Sequence, residues 1–285
     1  MKPSFYFYAN PFQPRSTEAA QALQKAITKL GGEVFSEQWL AEEGVGQACS
    51  LQEIPEDVRA MVVFGGDGTL LRASQDAVKR NLPLLGVHTG TVGFLMQGDA
   101  AAPEKTAALL MENEYPIVSY PLLNIRYDGE SHLALNDLAL TRGEHPGVIE
   151  VIVYADGEEV FCAHGDGAVV STPLGATAYG LSAGGPIVRH DAKCLMVTPL
   201  CARELLLRPV ILPLTARITL KAHGRERRRL QLAIDGQTLL PVTHEAEVEI
   251  ALAPILVRMI LPGPPHFFET LRKKQVFWNL QDKQE

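Results

Sequence analysis

Hydrophobic positions in the first hundred residues follow two alternating patterns. Short runs that are almost entirely apolar predict buried strands at residues 4–9, 33–39, 58–64 and 82–87. Segments 16–30 and 69–80 instead repeat their apolar residues at a helical spacing, and two glycines follow the first of them, as glycines often follow helix ends. Strands that are apolar throughout and alternate with helices indicate a parallel sheet with helices on both faces.

The pattern changes after about residue 100. One more helix is predicted over 101–114, and β-branched runs separated by turns follow it. Asp-Gly pairs between apolar runs predict hairpins at residues 127–130, 155–159 and 234–237. Further strands are predicted at residues 149–154, 230–234 and 248–252, and residues 266–280 predict a short helix with an aromatic-rich tail.

These patterns predict two domains. Residues 1–100 form an α/β domain with a parallel sheet, on which a tail from about residue 265 to 285 can pack. Residues 101–264 form a mostly antiparallel β domain. A chain of 285 residues with 46% hydrophobic residues is long and apolar enough to build two cores.

Charge and cysteine usage narrow the possible partners. The net charge of −7 gives no basic excess that would indicate a nucleic-acid partner. The basic cluster Arg225 and 227–229 is interpreted as a solvated hairpin end, with a patch that meets phosphates or another subunit as the alternative.

Neither a signal-peptide core nor a run of 18 apolar residues is present, so we expect a cytoplasmic protein without a membrane span. The cysteines at 49, 162, 194 and 201 lack paired spacing, which predicts free thiols.

The strand over 58–64 runs into a turn that combines glycines with a carboxylate. Gly65, Gly66 and Gly68 surround Asp67, and a predicted helix follows from Thr69. Glycines at the carboxyl end of a parallel strand allow backbone N–H groups to approach phosphate oxygens. Asp67 could accept a proton from a hydroxyl during phosphoryl transfer, help to hold a metal ion, or merely cap the helix.

Two further segments combine polar and small residues. Asn136 and Asp137 lie between two Leu-Ala-Leu triplets, where they could bind a ligand or form an edge or turn. Residues 164–186 contain six glycines and two prolines, a composition typical of a nucleotide-lining loop or, alternatively, of a flexible linker. The dinucleotide motif G-x-G-x-x-G does not follow the first strand, and the Walker motif is absent. Residues 180–184 match G-x-S-x-G, but no buried strand precedes them, which argues against a hydrolase.

Five segments together resemble the NAD kinase family. They are 65-GGDGT-69, 86-GVHTGTVGFL-95, 136-ND-137, 171-STPLGATAYGLSAGGPIV-188 and 267-FFETLRKK-274. The first is shared with lipid kinases and phosphofructokinases, whereas the long fourth segment is specific. The resemblance implies an α/β N-terminal domain, a β-rich C-terminal domain and a site in the cleft between them. It also implies that ATP or polyphosphate, with a divalent metal ion such as Mg²⁺, phosphorylates the 2′-hydroxyl of the adenosine ribose of NAD. The family resemblance further implies a homodimer or homotetramer.

The resemblance also implies roles for individual residues. Asp67 would be the general base, and the phosphate-binding loop would be Gly65, Gly66, Gly68 and Thr69. Asn136 and Asp137 would hold ribose hydroxyls, while His164 and Asp166 would face the nicotinamide end. The remaining implied substrate contacts are Gly68, Arg72, Thr177, Ala178, Tyr179, Ser182 and Gln237.

Some positions depart from the family pattern. Ala176 stands where Ser or Thr is common, His88 where Asn is frequent, and residues 198–209 lack the usual Pro-His-[ST]. The alternatives are a related GGDGT-type kinase acting on a sugar or lipid hydroxyl and, further away, a non-catalytic nucleotide-binding regulator. The long STP segment argues against the former and an intact Asp67 against the latter.

Overall fold

The computed structural model describes residues 2–90, 93–112, 114–144, 147–223, 230–243, 247–263 and 267–274. The chain forms two compact units, one of residues 1–119 and 257–285 and the other of residues 120–256. No helix in the described ranges combines the length and the apolar character that crossing a membrane requires.

The first unit is built around a parallel sheet. Its strands and helices up to residue 111 are β1 (Ser4–Ala9), α1 (Pro14–Lys29), β2 (Glu33–Ser36), α2 (Gln38–Glu42), β3 (Gln47–Ala48), β4 (Val58–Gly65), α3 (Asp67–Lys79), β5 (Leu84–His88), β6 (Gly98–Asp99) and α4 (Pro103–Met111). The sheet order is β3-β2-β1-β4-β5, with parallel pairing throughout. This parallel sheet confirms the predicted fold class of the first part of the chain.

Buried aromatic side chains form part of the core around this sheet. Phe5, Phe7 and Phe64 are fully buried, and the rings of Phe7 and Phe64 lie 4.9 Å apart. The buried face of α1 consists of Ser16, Ala19, Ala20, Leu23, Ala26 and Ile27, which recur at the predicted helical spacing. Because β1, β4 and β5 pair in parallel, their carboxyl ends meet along one edge of the sheet.

The second unit is an antiparallel β structure. Its elements are β8 (Glu130–Ala134), β9 (Asp137–Thr141), β10 (Ile149–Ala155), β11 (Glu158–Gly165), β12 (Gly167–Ser171), a 3₁₀ turn (Gly175–Thr177), α5 (Tyr179–Ser182), β13 (Cys194–Leu200), β14 (Val210–Pro213), β15 (Ile218–His223), β16 (Leu230–Ile234) and β17 (Thr238–Val242). Strands β7 (Ile117–Tyr127) and β18 (Glu247–Ile260) each extend past a boundary of this unit, and α6 (Phe267–Lys274) belongs to the first unit. One sheet has the order β14-β13-β12-β9-β16-β17. A second sheet contains four strands of this unit in the order β11-β10-β15-β18.

The three predicted Asp-Gly hairpins are present. Tyr127 pairs with Glu130, Ala155 with Glu158, and Ile234 with Thr238. Asp and Gly have positive φ in each hairpin, for example 52° at Asp128 and 78° at Gly129 in the two-residue turn between Tyr127 and Glu130. Such values are typical of two-residue turns whose twist matches that of the strands, and Asp and Gly tolerate them.

Several predicted elements have different ends in the structure. The strand predicted over 33–39 is wrong in its last part, because β2 stops at Ser36 and α2 then buries Leu40 in the core. The helix predicted over 69–80 begins earlier, at Asp67, and the one predicted over 101–114 is limited to α4. The aromatic-rich tail after residue 274 and the Arg225 and 227–229 cluster lie outside the described residues.

The boundaries of the compact units also differ from the predicted domain ends at residues 100 and 264. Helix α4 packs against α1, so the first unit continues to residue 119. At the other boundary, Met259 near the end of β18 pairs with Leu84 of β5, so the last residues of β18 belong to the first unit.

Candidate functional site

The glycine turn lies between a buried strand and a helix. β4 ends at Gly65, and Gly66 is the residue that precedes α3 as its N-cap. Gly65 has a φ of 149°, and a Cβ at this position would lie 2.6 Å from the hydroxyl of Thr69. The turn therefore requires glycine at Gly65, and it leaves the first N–H groups of α3 without a side-chain cap.

A cavity of about 690 Å³ opens beside this turn. It lies at the carboxyl ends of β1, β4 and β5 and is lined by Phe12, Gln13, Pro14, Arg15, Gly65, Gly66, Thr89 and Gly90. Gln13 precedes α1 without making a side-chain cap, as Gly66 does for α3. Two helix N-termini, each favourable for an anion, thus contribute residues to one cavity.

The Asp67 carboxylate is bound by backbone N–H groups of the segment that follows β5. Its Oδ2 accepts a hydrogen bond from the backbone N–H of Phe94, and its Oδ1 accepts one from Leu95, each at 3.1 Å. A Cβ at Gly93 would overlap this carboxylate, so the loop can approach it only with glycine there. Because Gly66 is the N-cap and Asp67 is the first helical residue, the interpretation of Asp67 as a mere helix cap is wrong.

Helix α6 places a cation against the same carboxylate. Lys274 Nζ lies 2.7 Å from Asp67 Oδ2, and it also lies 4.9 Å from the centre of the Phe94 ring. The Phe94 ring in turn packs against Phe267, with ring centres 5.8 Å apart. The C-terminal segment therefore contributes a charged group to Asp67, which its sequence alone did not indicate.

The remaining predicted residues of α3 have different environments. Thr69 is buried, Gly68 is exposed, and the exposed Arg72 forms a side-chain hydrogen bond with Tyr8. Burial raises the pKa of Tyr8, and Arg72 partly offsets this increase. Arg72 thus lies one turn beyond the glycine turn, where its side chain contacts Tyr8 of β1.

In the second unit, the carboxylate of Asp235 holds the start of β9. Its Oδ2 accepts the N–H of Leu135 at 2.8 Å, and its Oδ1 accepts those of Asn136 at 2.7 Å and Asp137 at 3.1 Å. The turn residue predicted only to form a hairpin therefore also fixes the Asn-Asp pair. Charge-assisted bonds of this kind are stronger than neutral ones, so the backbone of the pair is firmly positioned.

Asp137 is a buried acid with an unusual protonation behaviour. Its exposed fraction is 4%, and burial followed by the charge of Asp235 raises its pKa from 3.8 to about 7. A hydrogen bond with the backbone of Tyr179 acts in the opposite direction. Burial also raises the pKa of Asp235, against which its three backbone hydrogen bonds act. Two carboxyl groups near each other thus compete for ionisation.

The long STP segment packs directly on the Asn-Asp pair. Thr172 Oγ1 donates to the carbonyl of Leu135 at 2.6 Å, and the Thr172 N–H donates to that of Asn136 at 2.9 Å. A Cβ at Gly175 would overlap the carbonyl of Asn136, which explains the glycine. The flexible-linker interpretation of this segment is wrong, because Thr172, Gly175 and the neighbouring residues are buried.

The rest of this segment forms two short turns of helix. Thr177 ends the 3₁₀ turn and contacts His190 Nε2 through its hydroxyl at 3.3 Å. Ala178 separates this turn from α5, which contains the exposed residues Tyr179 and Ser182. Since a 3₁₀ turn and not a strand precedes Ser182, no nucleophile elbow is formed, as expected.

His164 in β11 and Asp166, just after the end of that strand, make separate side-chain contacts. His164 contacts Glu150 through Nε2 at 3.0 Å and Glu204 through Nδ1 at 2.9 Å. Asp166 pairs with Arg142 at 2.8 Å. Gln237 is exposed and closes the 234–237 hairpin through its N–H to the carbonyl of Ile234.

The structure thus brings several of the predicted residues together in two sets, one in each unit. The glycine turn with Asp67 forms the first, and Asn136, Asp137 and Tyr179 form the second. Sequence reasoning missed Lys274, Asp235 and the cavity residues Phe12, Gln13, Arg15, Thr89 and Gly90. The position of residues 12–15 directly after β1 is a signal that could have identified the last group, because strand ends line such sites.

Comparisons with known proteins cover nearly the whole chain. Residues 7–115 match the model of the ATP-NAD kinase N-terminal domain, and residues 135–261 match that of the ATP-NAD kinase C-terminal domain. The NAD kinase of Lachnoclostridium phytofermentans is 31% identical over 95% of this chain and 98% of its own. The NAD kinase of Solibacter usitatus is 33% identical over 92% of this chain and 94% of its own.

Two solved structures share the fold. Yeast NADH kinase, crystallised with NADH, gives a TM-score of 0.81 at 24% identity and covers 98% of this chain and 88% of its own. An NAD kinase from Archaeoglobus fulgidus, crystallised with ATP, gives a TM-score of 0.76 at 23% identity. It covers 96% of this chain and 100% of its own.

Proposed function

The chain belongs to the ATP-NAD kinase family, and from this premise we propose that it phosphorylates the 2′-hydroxyl of the adenosine ribose of NAD to give NADP. Relatives named NAD kinase over nearly their full length support this activity. They do not favour the alternative, a kinase that acts on a sugar or lipid hydroxyl.

The observation that carries the proposal is the fixed carboxylate of Asp67 beside the glycine turn. A carboxylate offers about four lone-pair positions. Among the described residues, its hydrogen-bond donors are Phe94, Leu95 and Lys274, which leaves an acceptor position for a substrate hydroxyl. In the proposed step, Asp67 takes the proton of the 2′-hydroxyl as this oxygen bonds to the terminal phosphorus of the donor. The bond from that phosphorus to the leaving phosphate breaks at the same time.

We assign the phosphoryl donor, ATP or polyphosphate, to the cavity at the carboxyl ends of β1, β4 and β5. The N–H groups at the starts of α1 and α3 favour phosphate oxygens, and Arg15 adds a positive charge. The cavity volume of about 690 Å³ is in the range of small-molecule sites.

The divalent metal ion is proposed to arrive as a complex with the donor. The residues around Asp67 do not fit a protein-bound ion, because the ammonium group of Lys274 lies 2.7 Å from Oδ2. Within the described ranges, the group of side chains with metal-ligand spacing lies in the other unit, at Glu150, Cys162 and His164. Mg²⁺ commonly binds proteins through substrate phosphates, which agrees with its delivery on ATP.

NAD is assigned to the residues of the second unit. Asn136 and Asp137, whose backbone Asp235 holds in place, would bind ribose hydroxyls, with Thr177, Ala178, Tyr179 and Ser182 along the dinucleotide. His164 and Asp166 would face the nicotinamide end, and Gln237 would supply a further polar contact. In the first unit, Gly65, Gly66, Gly68 and Thr69 would hold phosphate, with Arg72 one turn beyond them.

The cellular context is also proposed. We place the protein in the cytoplasm as a homodimer or homotetramer, with no nucleic-acid partner. Four free cysteines agree with a reducing compartment. Light scattering of the purified protein would establish the subunit count.

Product analysis tests the proposed reaction. Purified protein mixed with NAD and Mg-ATP should form NADP, which an NADP-specific dehydrogenase detects, and ³¹P NMR should place the new phosphate at the 2′ position. Parallel mixtures with polyphosphate or NADH establish the donor and substrate preference. Failure to form NADP or NADPH in every mixture, while ADP accumulates with a sugar or lipid acceptor, would support the alternative kinase.

A further inference from the structure

Three potential metal ligands share one face of the β10–β11 hairpin. Glu150 lies directly opposite His164 in the antiparallel register, and Cys162 is two residues before His164 on the same strand. Side chains alternate between the two faces of a strand, so all three project to the same side. Val151 and Ala163 project to the other side, into the core of the second unit. The backbone thus fixes the common direction of the three side chains.

The spacing of the three side chains suits a single ion. One ligand atom of each residue lies within 4.8 Å of those of the other two, and His164 Nε2 is 3.0 Å from Glu150 Oε2. Sulfur, nitrogen and oxygen ligands about 2.0–2.3 Å from one zinc ion are separated from each other by roughly 3–4 Å. Small rotamer adjustments are therefore sufficient to bring the three atoms to one centre.

Glu204 provides the outer partner that metal-binding histidines commonly have. Its Oε1 lies 2.9 Å from His164 Nδ1, and its Oε2 accepts the backbone N–H of the same residue at 3.0 Å. A carboxylate on Nδ1 fixes the tautomer that leaves the Nε2 lone pair for a metal. The position of the imidazole, with Nδ1 against Glu204 and Nε2 facing Glu150, thus favours ligation through Nε2.

We propose that Glu150, Cys162 and His164 bind Zn²⁺ or a similar borderline-soft divalent ion, with Glu204 orienting the histidine. Thiolate and imidazole ligands select such ions over Mg²⁺ and Ca²⁺, which prefer oxygen ligands. On binding, the Cys162 sulfur–hydrogen bond breaks, its proton passes to solvent, and the thiolate bonds to the metal. Three protein ligands leave a fourth position that water fills. The site joins β10, β11 and Glu204, which follows β13. It shares His164 with the proposed nicotinamide contacts, and metal titrations without NAD therefore test it separately from the kinase reaction.

Cobalt spectroscopy tests the site, because Co²⁺ replaces Zn²⁺ and its bond to a thiolate produces a charge-transfer absorption near the ultraviolet. Metal-free protein titrated with CoCl₂ should show this band at one equivalent, and ZnCl₂ should remove it. Cys162→Ser should abolish the band. Cys49→Ser, which changes a cysteine in the other unit, should retain it.

Calorimetry with ZnCl₂ gives an independent measurement. Glu150→Gln and His164→Gln should each raise the Kd by at least about tenfold, and Glu204→Gln should raise it by roughly 10- to 100-fold. His132→Gln, on the β7–β8 hairpin, should leave it unchanged. Circular dichroism establishes that each variant is folded. Absence of the cobalt band in wild-type protein, or its persistence in folded Cys162→Ser, would show that these residues form only an ion-pair cluster and would overturn the proposal.

Discussion

Asp137 is a carboxyl group buried beside a second one, Asp235, and this arrangement links folding to pH. The pKa of Asp137 is raised from 3.8 to about 7, first by burial and then by Asp235. Between these two values the folded state holds a proton that the unfolded state has lost. The free energy of unfolding therefore falls as pH rises through this window, and the loss remains above it.

The variant Asp137→Asn should remove this pH dependence while keeping the shape of the side chain. We expect it to be more stable than wild type at pH 8, by on the order of 2–4 kcal/mol at most, and nearly equal near pH 4–5. Urea unfolding at several pH values measures the difference, with Asp128→Asn, an exposed turn residue, as the control. Parallel pH profiles of wild type and Asp137→Asn would contradict the assignment.

At the residue scale, the sequence indicates candidate positions where local composition is unusual. Asp67 among three glycines and Asn136-Asp137 between apolar triplets were identified as candidates because a polar group in such a position needs a specific partner. Asp235 was interpreted only as a turn residue, since nothing in its local sequence distinguishes it from Asp128 in another hairpin. Its hydrogen bonds reach residues about a hundred positions away, which no local pattern records.

At the scale of elements, α6 depends on contacts that only the folded unit provides. Eight residues form a helix that is marginal by itself. Phe267 packs on Phe94, and Lys274 binds Asp67 and faces the Phe94 ring. An aromatic pair contributes about 0.5–1.5 kcal/mol and a partly exposed ion pair about 0.2–1 kcal/mol, so a few contacts determine whether the helix is populated.

Hydrogen exchange should detect this dependence. Phe267→Ala and Lys274→Met should accelerate amide exchange in residues 268–274 by roughly 3- to 10-fold, as follows from losses of about 1 kcal/mol. Lys273→Met is the matched control, because Lys273 pairs with Glu269 of the same helix and not with Asp67. Equal exchange in Lys274→Met and Lys273→Met would mean that the contact with Asp67 does not hold α6.

Element prediction was accurate where periodicity was strong and failed near chain reversals. The apolar runs that became β1, β4 and β5 are buried on both faces, so their pattern is uninterrupted. Residues 37–39 are equally compatible with a strand by composition, yet the chain turns there to bury Leu40. Tertiary packing, and not local propensity, determines where β2 ends.

For the whole molecule, the change from helical to hairpin patterns near residue 100 was sufficient to predict a parallel α/β part and an antiparallel part. The boundaries of the units were not predictable from this change, because α4 and the end of β18 pack by contacts with α1 and β5. All four cysteines lie in the described part of the chain and are free, as predicted.

The steady-state kinetics of Asp67→Asn test most directly whether this chain transfers a phosphoryl group to NAD with Asp67 as the base. Asp76→Asn, a carboxyl change on the same helix, serves as the control. NAD affinity by calorimetry and melting temperature should remain close to wild type in both variants. We expect Asp67→Asn to lower kcat for NADP formation by about 10²–10⁴ and Asp76→Asn to leave it nearly unchanged. A folded Asp67→Asn protein that retains half of the wild-type kcat would contradict the account.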